Sequence, residues 1–304
     1  MKPIKPLEKP EKRQKIVDKH WPGVSKFGDG KFIFSQETSQ ISNSELQIAF
    51  GFLDAVSKVI NLRDKLAKED LEKSQPFLPD GAWGLDYKNS IEVDGSIRNI
   101  HTSYNLLAEK DPNIIKKLRF YTEAFTGYQL ATLELAGSRP WISKRLPDNW
   151  DDVLGMLAGP PPPEVYQNIS IANQLPSTLR LSPPKKFAEV GWLFSDQIIN
   201  HDLLGYQQII ALMYENGIID LLQERLSKSG VVKIIEIGGG YGALAYYLMK
   251  ILNFEVSYSL VDIPESLAFS SIYCGCLDMG IPVKMVLEGS DFCINPDPSL
   301  TLIP

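Results

Sequence analysis

Cysteine and histidine are both scarce in this 304-residue chain, at three residues each. Cys274, Cys276 and Cys293 form no disulfide framework: the odd count suits a reducing compartment, and Cys274-Gly275-Cys276 lacks the two-residue gap of a zinc knuckle. Long apolar runs are missing too. No stretch approaches the ~18 uncharged apolar residues of a membrane-spanning helix, so a membrane span is excluded. The opening MKPIKPLEKPEKRQK is charged and broken by prolines, without the apolar stretch of a secretory signal, so the chain reads as cytoplasmic. Basic charge is in deficit as well. The 31 Lys and Arg against 37 Asp and Glu leave −6, the wrong sign for a general nucleic-acid binder. Residues 1–19 carry +4 and the rest −10, and the basic lead reads as a solvated terminus. What remains is an ordinary globular composition, 44% apolar and 22% charged, over a length of about two domains.

The first half reads as helices. Ser44 with Gln47 makes a capping-box pattern, followed by Ala49, Phe52, Leu53, Val56, Val59 and Ile60 at helical spacing. Asp111-Pro112 starts another helix, with Ile114, Leu118, Tyr121, Phe125 and Tyr128 on one face. Both faces read as core. Pro79 to Gly84 is turn chemistry around Trp83, and Pro160 to Pro163 is a stiff stretch that no helix crosses. A second proline pair, Pro183-Pro184, precedes a change of composition, which puts the domain boundary between about 164 and 195, taken here as 190/191. A helix over 203–222 then leads into an apolar run, Val231 to Ile237.

That run opens the informative segment, Val231-Val-Lys-Ile-Ile-Glu-Ile-Gly-Gly-Gly-Tyr-Gly-Ala-Leu-Ala245. A β-branched strand ends in a glycine turn, and a helix follows with Leu244, Tyr247, Leu248, Ile251 and Leu252 on one face. Strand, turn and helix form the first unit of a doubly wound nucleotide-binding sheet, in which glycines let the backbone approach a ligand and the helix start offers free N–H groups. Val256 to Val261 reads as the second strand, closed by Asp262, 20 residues after Gly242. The end of the second strand sits beside the glycine turn, so this carboxylate can take both ribose hydroxyls.

Two cofactors compete for such a turn. Gly238-x-Gly240-x-x-Ala243 is a permitted NAD fingerprint. Glu236-x-Gly238-x-Gly240-x-Gly242 is the pattern of class I S-adenosylmethionine (SAM) methyltransferases, where the acidic residue faces the methionine ammonium. NAD presents a pyrophosphate at that place, which Glu236 would repel, so SAM is the expected cofactor and an NAD-dependent oxidoreductase the runner-up. The cofactor set is Glu236, Gly238, Gly240, Tyr241, Gly242 and Asp262, joined by Asp291, whose place after a third strand over 283–287 suits the adenine amino group better than a metal. No metal site is expected.

The wording Glu236-Ile-Gly-Gly-Gly-Tyr-Gly-Ala-Leu-Ala245 and Tyr258-Ser-Leu-Val-Asp-Ile-Pro-Glu265, with Asn200-His-Asp-Leu-Leu-Gly-Tyr-Gln207 upstream, resembles a family of sugar O-methyltransferases found with bacterial surface-polysaccharide genes. The resemblance covers roughly 190–290 well and the first half loosely. It implies in-line transfer of a methyl group to the hydroxyl of a sugar or nucleotide sugar, with a base to remove the proton. The base is not identified; His201, next to Asp202, is a weak candidate that reads first as a helix-start residue with Asp202 as the cap. His101 reads as structural or surface, and Trp83, Trp141 and Trp192 as core or interface filling.

A complete sheet of this class has seven strands, and at roughly 30 residues per unit about 150 residues follow its first strand. Here 73 follow Val231, enough for three strands and, at Leu300 to Ile303, the start of the fourth. The expectation is therefore an α/β protein: a mostly α-helical N-terminal domain, residues 1–190, and a partial doubly wound, Rossmann-like SAM-binding domain, residues 191–304. An incomplete sheet leaves an open edge beside its first strand, which favours self-association into a homo-oligomer. It also keeps a non-catalytic SAM-binding subunit in play.

Overall fold

The computed structural model describes residues 31–35, 41–75, 107–110, 163–184, 186–187, 189–194, 197–199, 201–287 and 297–304, with single positions at 78, 112 and 115. Helix α1 spans Asn43–Glu69. Its cap is Ser42 with Glu45, two residues before the Ser44/Gln47 pair expected. The Ser42 N–H donates to Glu45 Oε2 at 2.7 Å and the Glu45 N–H to Ser42 Oγ at 3.3 Å, so two donors of the first turn are satisfied reciprocally. Leu46, Ala49, Leu53, Val56 and Ile60 then form the buried stripe, which Arg63 continues. Helix α2, Leu71–Ser74, is one turn capped by Asp70. Of the helix expected after Asp111, Pro112 and Ile115 are described as helical and Ile115 is buried; Ile114, Leu118, Tyr121, Phe125 and Tyr128 lie outside the described residues, as do His20, His101, Trp83 and Trp141. Helix α3, Pro163–Gln174, begins on a proline, where a missing N–H costs nothing.

A small antiparallel sheet was not foreseen. Strands β1 (Lys31–Ser35), β2 (Glu189–Phe194) and β3 (Gln197–Ile199) lie in the order β1-β2-β3. The first half is therefore not helical throughout, and the expected boundary at 190/191 falls inside β2. Trp192 is buried, and Phe194 meets the Tyr166 ring edge-on at 5.9 Å, so both serve the core. The single helix expected over 203–222 is two, α4 (His201–Glu215) and α5 (Ile218–Ser229). Gly217 breaks them at φ +70°, a conformation glycine adopts without steric cost.

The second sheet is parallel throughout: β4 (Val232–Ile237), β5 (Val256–Val261), β6 (Val283–Met285) and β7 (Ser299–Ile303). Helix α6, Ala243–Ile251, joins β4 to β5, and α7, Pro264–Cys276, follows β5. The strand order is β4-β5-β7-β6. The segment expected to begin a fourth strand is indeed a strand, but it enters between β5 and β6, where Leu300 and Leu302 are fully buried. All partners of β4 among the described strands lie on one side of it, so the reversal of strand order that defines a doubly wound sheet is not displayed. Among the described strands β4 and β6 are the edges of this sheet, and on β4 Ile235 and Ile237 are 60% and 84% exposed.

Helix α7 is buried on nearly every face because it is wedged between the sheet and α1. A Cβ on Gly242 would stand 2.8 Å from Cys274 Sγ, and one on Gly275 would stand 2.5 Å from the Phe52 ring of α1. One contiguous apolar core runs from α1 through α7 to the parallel sheet. No helix among the described residues is long and apolar enough to cross a membrane.

Candidate functional site

The parallel register sets the C-terminal ends of the strands level: Ile237 pairs with Val261, and Val261 with Ile303. Ligands of open α/β sheets bind outside those ends. A cleft of about 470 Å3 lies there, lined by Ile237, Gly238, Asp262, Ile263 and Pro264 from the strand ends and by Arg63 from α1, with further apolar walls including Val59 and Leu78.

The glycine turn reaches this cleft through Gly238, its first residue. Gly238, Gly240 and Gly242 all have positive φ, at +75°, +58° and +87°. Gly239 is small for another reason: a Cβ there would stand 2.6 Å from Leu260 Cγ in the core. The turn is anchored at both ends, Gly238 donating its N–H to the Val261 carbonyl at 2.8 Å and Gly242 to the Gly239 carbonyl at 2.9 Å. Gly242 also starts α6 with no side-chain cap, leaving the first amides of the helix beside the turn.

Asp262 fastens β5 to that turn. Its Oδ2 accepts from the Gly240 N–H and from the Ser266 hydroxyl, both at 2.8 Å, and its Oδ1 accepts from the Ile263 N–H at 2.8 Å. Burial pushes the carboxyl above its usual pKa, and these three donors pull the other way. A carboxylate has about four acceptor positions. Three are used, so one ribose hydroxyl can be accepted without displacing a donor, where both were expected.

Glu236 stands on the opposite face of β4 from Ile237, behind the cleft wall. Its Oε2 accepts from the Tyr258 hydroxyl at 2.8 Å. Burial raises the Glu236 pKa and the Asp262 charge raises it further, while the tyrosine bond lowers it. The Tyr258 phenol is driven well up by burial and by Glu236, so it stays a donor. Two partly buried carboxylates, with the Asp262 charge raising the Glu236 pKa, make a place that gains from a cation.

Tyr241 is in the turn by backbone only. Its ring is buried against Tyr273 (4.8 Å, edge-on) and Tyr206 (6.1 Å), in the core rather than on the cleft wall. His201 opens α4 by backbone, as a helix-start residue does; its side chain lies outside the described residues, as does Asp291. Arg63, Ser266, Tyr258 and Gly239 were not singled out from the sequence as site residues. Comparisons with family models, curated proteins and solved structures found no match to this chain. Fold and site together define an α/β protein with a glycine turn and two acidic groups at the ends of parallel strands.

Proposed function

We propose that this cleft binds SAM and that the chain is a methyltransferase of the class I, Rossmann-like type acting on a sugar hydroxyl in the cytoplasm. The observation that carries the reading is the convergence of Glu236, the positive-φ glycine turn and Asp262 at one end of the parallel sheet. The residues present fit the cofactor: the turn lets the backbone approach it, Asp262 has an acceptor position for a ribose hydroxyl, and Ile263 and Pro264 offer an apolar wall for an adenine ring. Glu236 supplies the counter-charge for an ammonium. SAM, when bound, supplies a methyl group already activated by the sulfonium. The chain's part is to hold the acceptor in line and exclude water. Two acidic groups beside the cleft disfavour the pyrophosphate of NAD. Incubation with methyl-labelled SAM and a panel of sugars and nucleotide sugars tests the reaction: label in a sugar supports it, and SAM binding without turnover on any acceptor would make this a binding subunit.

The raised pKa values give a pH dependence with two opposite signs. A carboxyl whose folded pKa lies above its unfolded value contributes stability that is present below the unfolded pKa and lost as pH rises through the folded one. The ligand-free protein should therefore lose a stability increment on going upward from the ordinary Glu range near pH 4.3. SAM affinity should rise over the same interval, because the ammonium needs ionised Glu236. Thermal melts and titrations across that range check both slopes, and Glu236→Gln should flatten the affinity slope. Affinity that falls with rising pH would contradict the role given to Glu236.

A further inference from the structure

Two charged residues stand on the described walls of the cleft, Asp262 and Arg63. Arg63 comes from α1, four residues after Val59 and on the same helix face. Arg63 is 8% exposed and binds Glu265, itself 1% exposed, through both terminal nitrogens: Nη1 donates to Oε2 at 3.0 Å and Nη2 to Oε1 at 2.8 Å. A second carboxylate, Asp64 Oδ1, lies 3.6 Å from Nη2. Arg63 on the described wall thus has two carboxylates beside it, Glu265 and Asp64, and shares the lining with a third acid, Asp262.

Stability is a poor reason for such a pair. A buried ion pair loses hydration that its mutual attraction only roughly offsets, and apolar residues of similar volume are often as good or better. Val59, one turn earlier on the same face, shows that an apolar side chain suits this wall. What an arginine held by a bidentate carboxylate does differently is fill the wall without offering a net positive charge to the ligand. Left uncompensated, the same guanidinium would be a ready phosphate site, since its fork matches phosphate oxygens as well as carboxylate.

We propose that Glu265 is a specificity-determining residue: by neutralising Arg63, the cation on the described walls, it makes the cleft accept neutral or cationic adenosine compounds and reject phosphate-bearing ones. The proposal rests on reading the cleft as an adenosine site. It does not require the methyl-donor reading to hold. Glu265 sits in the first turn of α7, one residue before Ser266, whose hydroxyl binds Asp262, so that turn carries the charge filter and a donor to the ribose acid.

The test is calorimetric titration of the full chain at low salt with adenosine, AMP and S-adenosylhomocysteine. The wild type should bind adenosine and S-adenosylhomocysteine at least roughly tenfold more tightly than AMP, the effect of about one unit charge near a partly buried ligand. Glu265→Gln should raise AMP affinity by about tenfold or more with adenosine little changed. The double variant Arg63→Met/Glu265→Gln, which removes this ion pair and leaves Asp262 as the charge of the described wall, should return AMP to its weak wild-type level. A merely structural role would shift adenosine and AMP together. Because Glu265→Gln removes the bidentate partner of a buried arginine and can fail to fold, Asp64→Asn on the more exposed side provides a gentler arm. It should raise AMP affinity a few-fold without weakening adenosine. An AMP-to-adenosine ratio unchanged in every folded variant, a wild type that prefers AMP, or no adenosine binding at all would overturn the proposal. Retained adenosine selectivity with no binding of S-adenosylhomocysteine would instead refute the methyl-donor reading alone.

Discussion

Replacement of Gly240 by valine is expected to abolish detectable SAM binding while leaving the protein folded. Gly240 has φ +58°, a conformation that costs an L-residue roughly 1–2 kcal/mol and a β-branched one more. Its N–H is also the donor that ties the turn to Asp262 at 2.8 Å. Valine would turn the peptide away from that carboxylate and put two methyl groups where the backbone should approach the ligand. Loss of that approach and of one charged hydrogen bond corresponds to at least roughly a hundredfold in affinity. Titration calorimetry reads the loss, and circular dichroism melts show that the fold survives. Normal binding by the variant would mean that the turn only connects β4 to α6.

Asp262→Ala should weaken SAM binding roughly 10–100-fold through loss of a charged hydrogen bond to ribose. It should also destabilise the protein. Gly240 N–H, Ile263 N–H and the Ser266 hydroxyl all lose their acceptor, and donors left unsatisfied at a partly buried site cost about 1–3 kcal/mol. Relief of the carboxylate's own desolvation offsets part of that. Chemical denaturation and calorimetry on the same samples separate the two effects. Unchanged affinity in a destabilised variant would assign Asp262 to fastening the turn alone.

The parts of this site that were legible in the sequence are the parts that local chemistry dictates. Three glycines in alternation after a β-branched run announce a turn with left-handed backbone, and the structure has positive φ at all three. Helix α6 and strand β5 follow from spacing alone. Contacts between distant segments left no such trace. Arg63 and Glu265 lie 202 positions apart, and an arginine at the end of an apolar stripe reads as solvent-facing until its partner helix is placed. Tyr258 alternates like any strand residue, so its bond to Glu236 shows only in three dimensions. Gly217 announces no break, because one glycine inside a helical pattern is tolerated. The strand order failed for a related reason: Ser299 to Ile303 declares a strand, but only burial of Leu300 and Leu302 between two neighbours declares a central one.

The most direct test of the central claim is competitive titration of the purified chain with SAM, S-adenosylhomocysteine and NAD. If Asp262 on the cleft wall and Glu236 behind it favour an ammonium over a pyrophosphate, SAM and S-adenosylhomocysteine should bind in clear preference to NAD, with NAD unable to displace either. Tighter binding of NAD, or its displacement of bound SAM at comparable concentration, would contradict the assignment.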